Sequence, residues 1–144
     1  MAGVSRVPAG AIPLGLHSLT TAYATTATHT TLQNEGLTLT INYRANRILR
    51  MTWNGSLYAP VGAQRVTLRL LRGSTTVFDW ISPTTIGTIV NDGFTVSVPF
   101  LGPSTAASEV FKIQVAALSA NTAVQSYATA SAPRTLLVED LGPQ

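Results

Sequence analysis

Apolar and polar residues alternate along much of this chain with a period of two. Leu37, Leu39 and Ile41 alternate with Thr38, Thr40 and Asn42. Leu49, Met51 and Trp53 alternate with Arg50, Thr52 and Asn54, and Val66, Leu68 and Leu70 with Arg65, Thr67 and Arg69. Side chains on a strand point to opposite faces in turn, so each stretch predicts a strand with one buried face. No segment sustains a 3.6-residue apolar period. Ala45-Asn46 predicts a hairpin joining Leu37–Ile41 to Ile48–Leu57. Gly73-Ser74 turns the next strand into Thr75–Ile81, where Val77 and Asp79 alternate against Phe78 and Trp80. Asn91-Asp92-Gly93 separates Ile86–Val90 from Phe94–Phe100 and supplies the positive backbone angles of a tight hairpin. Asn34-Glu35-Gly36 reads as a turn, Thr20–Thr31 as a weakly patterned edge strand, and Gly102–Glu109 as a loop with room for one helical turn.

Three further strands close the chain between Glu109 and Pro143, the last of them Thr135–Leu141. That strand has Leu136 and Val138 on one face and Leu137 on the other. Apolar residues on both faces imply cover on both, by the core and by something else, such as a subunit interface. With about eight to ten short strands at regular spacing, the expected fold is all-β: an antiparallel β-sandwich, with a jelly roll preferred and an immunoglobulin-like sandwich the alternative. Residues 1–18 differ from the rest. Pro8, Gly10 and Pro13 keep them out of a central strand, while Val7, Ile12, Leu14 and Leu16 still call for burial, across the chain's own domain or else on a neighbouring subunit or the particle. An extended N-terminal arm over 1–18 and a sandwich domain over 19–144 follow from this.

Composition narrows the class. The 144 residues are 45% hydrophobic and 10% charged, which suits one folded domain and not a disordered chain. The net charge of +3 comes almost wholly from arginine, Lys112 being the only lysine. So small a charge gives no ground for nucleic-acid binding. There is no cysteine, which removes disulfides, thiolate metal sites and cysteine nucleophiles. No apolar run reaches the length of a membrane span, and the early prolines break any signal-peptide core, so synthesis and retention in the cytoplasm are expected.

Candidate chemistry is sparse. His17 lies in the arm and His29 in the Thr-rich strand, neither with an acidic neighbour in sequence to orient it. Glu139 and Asp140 are adjacent and point to opposite faces of a strand, unlike a glycosidase pair; a solvated strand end or an ion pair with an arginine is their expected role. Asp79, Asp92 and Glu109 are scattered, and no phosphate loop or calcium loop occurs. No catalytic residue, metal or cofactor is expected. Arg65 and Arg69 share an outward face, either a solvated sheet face or one where the planar guanidinium suits carboxylates of a neighbouring subunit. Together with Ile12, Leu14, Leu16 and Leu137 they are the candidate interface residues.

The segment Arg134-Thr-Leu-Leu-Val-Glu-Asp-Leu-Gly-Pro143 closely resembles the ending of small β-rich virion proteins of tailed bacteriophages, mostly of actinobacterial hosts. These are minor tail proteins and capsid fibre or decoration proteins. Gly36–Arg50 and Val66–Phe78 are similar to the same proteins in weaker form. The resemblance implies a structural component of a virion, made in the host cytoplasm and lacking catalytic residues. It implies contacts with capsid or tail proteins, and self-association is expected as a homotrimer. A receptor- or carbohydrate-binding module at a tail tip, contacting a host surface glycan, is the alternative.

Overall fold

A computed structural model describes residues 10–24, 32–58, 65–81, 93–117 and 124–144. Ten strands occur among them: β1 (Ile12–Leu19), β2 (Tyr23–Ala24), β3 (Gln33–Tyr43), β4 (Arg47–Tyr58), β5 (Val66–Arg72), β6 (Thr75–Ile81), β7 (Phe94–Leu101), β8 (Ala107–Ala117), β9 (Gln125–Tyr127) and β10 (Arg134–Pro143). None of the described residues is helical, so no helix long and apolar enough to cross a membrane occurs among them.

The pairing is nested. β1 pairs with β10, β2 with β9, β3 with β8, β4 with β7 and β5 with β6, all antiparallel. The chain is therefore one long hairpin, and it is rolled so that β10 also pairs with β4 and β8 with β5. Two sheets result. The first runs β1-β10-β4-β9-β2 with β7 on the other edge of β4, and the second runs β3-β8-β5-β6. This is a jelly-roll β-sandwich, in agreement with the alternation of the sequence. The faces between the sheets carry the core, including Leu37, Leu49, Met51, Trp53, Leu68, Leu70, Phe111, Ile113, Leu136 and Val138, all fully buried.

The nesting overturns several local expectations. Leu37–Ile41 and Ile48–Leu57 are strands, but they do not form a hairpin: β3 and β4 lie in different sheets. The chain crosses between sheets at Ala45-Asn46, where Asn46 has φ 53° and its N–H donates to Pro103 O at 2.9 Å. Each strand has a single apolar face, and placing the two strands in facing sheets buries both faces against each other. Asn34-Glu35-Gly36 is not a turn but an irregularity within β3. The pairing with β8 shifts register between Asn34 and Thr38, around Gly36 at φ 93°. Only the β5–β6 hairpin at Gly73-Ser74 forms as expected among the adjacent pairs described. The Gly102–Glu109 loop holds no helical turn, and β8 begins at Ala107. Of the edge strand expected over Thr20–Thr31, Tyr23–Ala24 is a strand and residues 25–31 lie outside the described residues, as does the Asn91-Asp92 turn.

The boundary placed at residue 18 also falls inside an element. Ile12–Leu19 is an edge strand on β10, so this part of the arm belongs to the sandwich. Proline is tolerated on an edge strand, and the register shifts between Pro13 and Gly15. Close packing then holds the strand in place: a Cβ on Gly15 would come within 2.6 Å of the Ile41 side chain. β10 in turn is not at the margin of the sheet but lies between β1 and β4.

Candidate attachment surface

The C-terminal motif that carries the resemblance is used chiefly to hold the fold together. Leu136 and Val138 enter the core. Arg134 pairs with Glu35 at 3.4 Å, Glu139 with Arg50 at 2.7 Å and Asp140 with Arg47 at 2.9 Å. Of the two roles open to Glu139 and Asp140, the ion pair is the one seen, and both residues are buried, not solvated. The Gly142 N–H donates to Asp140 Oδ1 at 2.9 Å, with Gly142 at φ 125°, a conformation that favours glycine.

Glu35 is the residue that sequence reasoning missed. It is fully buried in β3, where Trp53 Nε1 of β4 donates to its Oε1 at 2.7 Å and Arg134 Nη1 of β10 reaches its Oε2. Ser126 Oγ of β9 lies beside the carboxylate without a well-formed hydrogen bond. The Arg134 guanidinium also stacks 6.0 Å from the centre of the Tyr23 ring of β2. Burial pushes the Glu35 carboxyl up, against the pull of Ser126, Arg134 and Trp53. Burial likewise lowers Arg134, against Glu35 and Tyr23. The cluster ties five strands across both sheets. One clue in the sequence was Trp53 itself: an indole N–H on a core face needs an acceptor, but nothing local names Glu35. Gly55 makes room for the cluster, since a Cβ there would lie 2.7 Å from the Trp53 ring and 3.2 Å from Arg134 Cβ.

The other described carboxylates are engaged too. Asp79 accepts from Arg69 Nε and Nη2 at 2.7 and 2.6 Å, which holds its carboxyl below the usual range. Glu109 pairs with Arg72 at 3.2 Å and accepts from the Tyr43 hydroxyl. Desolvation, then Glu109, pushes the Tyr43 hydroxyl up to about 12. His17 is tied to the sandwich seam, where Thr38 N donates to its Nδ1 at 3.0 Å. No group of three His, Asp or Glu side chains able to hold a metal occurs among the described residues. His29 and Asp92 lie outside them.

The six candidate interface residues divide between the two sheets. On the outer face of the first sheet, Leu16 of β1 stands directly opposite Leu137 of β10, which faces Thr52 of β4 and then Ser97 of β7. Leu137 is half-buried, and Leu16 is 62% exposed at the open sheet edge. Ile12 and Leu14 lie at the end of β1 and line a cleft of about 260 Å³ with Asn42, Tyr43, Arg44, Arg47 and Asp140. Leu14 also packs on the core, whereas Ile12 is 51% exposed. Four candidates are thus brought together around β1 and β10. Arg65 and Arg69 lie apart on the other sheet, where Arg69 belongs to a row Asn34–Gln114–Arg69–Asp79 that crosses all four strands.

No family model matches the chain, and no curated protein matches it. Several solved structures show a distant likeness. The CBM22-1 xylan-binding domain of Paenibacillus barcinonensis Xyn10C is 9% identical at a TM-score of 0.47, over 94% of this chain and 98% of that domain. A structure of the infectious bursal disease virus Gt strain is 13% identical at a TM-score of 0.40, over 92% of this chain but 38% of the viral one. A family 16 carbohydrate-binding module is 14% identical at a TM-score of 0.34, over 85% of this chain and 84% of the module. Likenesses this distant carry no residue-level correspondence.

Proposed function

We propose that this chain is a structural component of a bacteriophage virion, a capsid decoration or minor capsid protein that acts by protein–protein contact and not by catalysis. It attaches through the β1–β10 side of the sandwich and associates with copies of itself, as a trimer. The observation that carries the reading is the apolar strip at the edge of the described sheet: exposed Leu16 beside half-buried Leu137, with exposed Ile12 at the strand end. An edge strand with unpaired main-chain groups and apolar side chains invites a partner strand. Support for a non-catalytic role comes from the carboxylates, every described one of which faces an arginine of the same chain. The C-terminal resemblance supplies the virion context.

Purified particles provide the test. Quantitative mass spectrometry of intact virions should find this chain in hundreds of copies per particle, on the capsid. A handful of copies at the tail tip would favour the receptor-binding alternative, and absence from particles would overturn the proposal.

A further inference from the structure

The end cleft has a composition that the attachment strip lacks. Its walls are the aliphatic Ile12 and Leu14, and its polar side is Asn42, Tyr43, Arg44, Arg47 and Asp140. Arg47 is clamped by both oxygens of Asp140 through its Nε. Arg44 is exposed and belongs to none of the ion pairs among the described residues. It adjoins the crossing between sheets, where Asn46 N–H donates to Pro103 O and Gln144 N–H donates to Asn46 O at 3.1 Å. The cleft thus places an exposed cation beside an apolar wall. At about 260 Å³ it lies just below the size of sites for whole small ligands, about 300–1,000 Å³, and suits one or two side chains of a peptide.

We propose that this cleft binds an acidic, aliphatic-flanked extended segment of a different protein, its carboxylate on Arg44 and its aliphatic side chain on Ile12 and Leu14. Charge complementarity selects the occupant. The five described carboxylates all face arginines within the chain, so a second copy has none of these to offer. The net charge of +3 leaves the domain cationic toward its surroundings. Among the described residues, then, no carboxylate is spare for Arg44, and an acid on a partner supplies what they lack. The inference rests on the proposed attachment role and names the chemistry of the partner.

The test uses the full chain, isotopically labelled, and the blocked peptide acetyl-Val-Glu-Leu-Asp-Val-amide, with its Gln/Asn analogue as control. Amide shift changes should localise to Leu14, Asn42, Arg44 and Arg47, and should weaken as salt is added. Binding should weaken about fivefold or more for the analogue and for Arg44→Glu. Arg44→Gln provides a second variant of unreversed charge, with a smaller loss expected. Equal binding of the analogue, shifts spread over Lys112 and the β5–β6 face, or no shifts at all would overturn the cleft assignment. Peptide binding by a chain absent from particles would sink the virion reading and leave the cleft standing. A particle component that ignores the peptide would do the reverse.

Discussion

Two arginine–carboxylate pairs in this molecule have the same chemistry and opposite consequences. Arg69 and Asp79 meet at 2.6 Å with their side chains 32% and 34% exposed, whereas Arg134 and Glu35 meet at 3.4 Å with 3% and 0% exposed. The shorter pair contributes less. Water and salt screen it, and holding two long side chains together costs entropy. The longer pair sits where neither charge has water to fall back on, so removing one partner strands the other. Burial, not distance, decides which pair the fold depends on. The same contrast bears on function: Arg69, outward-facing and attractive as an interface residue in sequence, already has its carboxylate within the sheet.

The largest expected effect comes from breaking the buried pair. Glu35→Ala or Arg134→Ala should cost about 3–5 kcal/mol of unfolding free energy, read from denaturant midpoints followed by tryptophan fluorescence. Replacing both together, as Glu35→Leu with Arg134→Met, should recover part of the loss: no charge is then left buried alone, but the Trp53 indole N–H loses its acceptor. Single losses below 1 kcal/mol would mean that water reaches the cluster.

An intermediate case is Tyr43, whose hydroxyl is held by the half-buried Glu109. Its native value of about 12 stands above the ordinary 10. A raised value means that the unfolded chain loses this proton first. The Tyr43 contribution to stability is therefore full below pH 10 and disappears as pH rises toward 12. Alkaline denaturation of Tyr43→Phe should lack that step, and an unchanged profile would show that the hydroxyl is not held as described.

The smallest effect should come from the exposed pair. Asp79→Asn should cost less than about 1 kcal/mol, with the loss shrinking further at high salt. A cost equal to that of Glu35→Ala would erase the distinction between the two sites.

The alternation of Leu37–Ile41, Leu49–Trp53 and Val66–Leu70 made these strands and their inner faces legible, because period-two burial is a local property. Their partners were not legible. A hairpin at Ala45-Asn46 looked natural because neighbouring strands often pair, yet the nested roll sets β3 against β8 and β4 against β7 and β10. Glu35 was hidden for the same reason: its partner Arg134 is 99 residues away. Leu16 and Leu137 were each identifiable as apolar residues without an obvious place in the core. Only the register of β1 on β10 revealed that they form one surface.

The occupancy of variant chains in assembled particles tests the central claim most directly. Leu16→Asp and Arg69→Ala alter the two outer faces in turn, and circular dichroism first confirms that each variant is folded. Attachment through the β1–β10 side predicts that Leu16→Asp is missing from particles while Arg69→Ala is present at the wild-type level. A folded Leu16→Asp chain at full occupancy, or loss of Arg69→Ala instead, would contradict it.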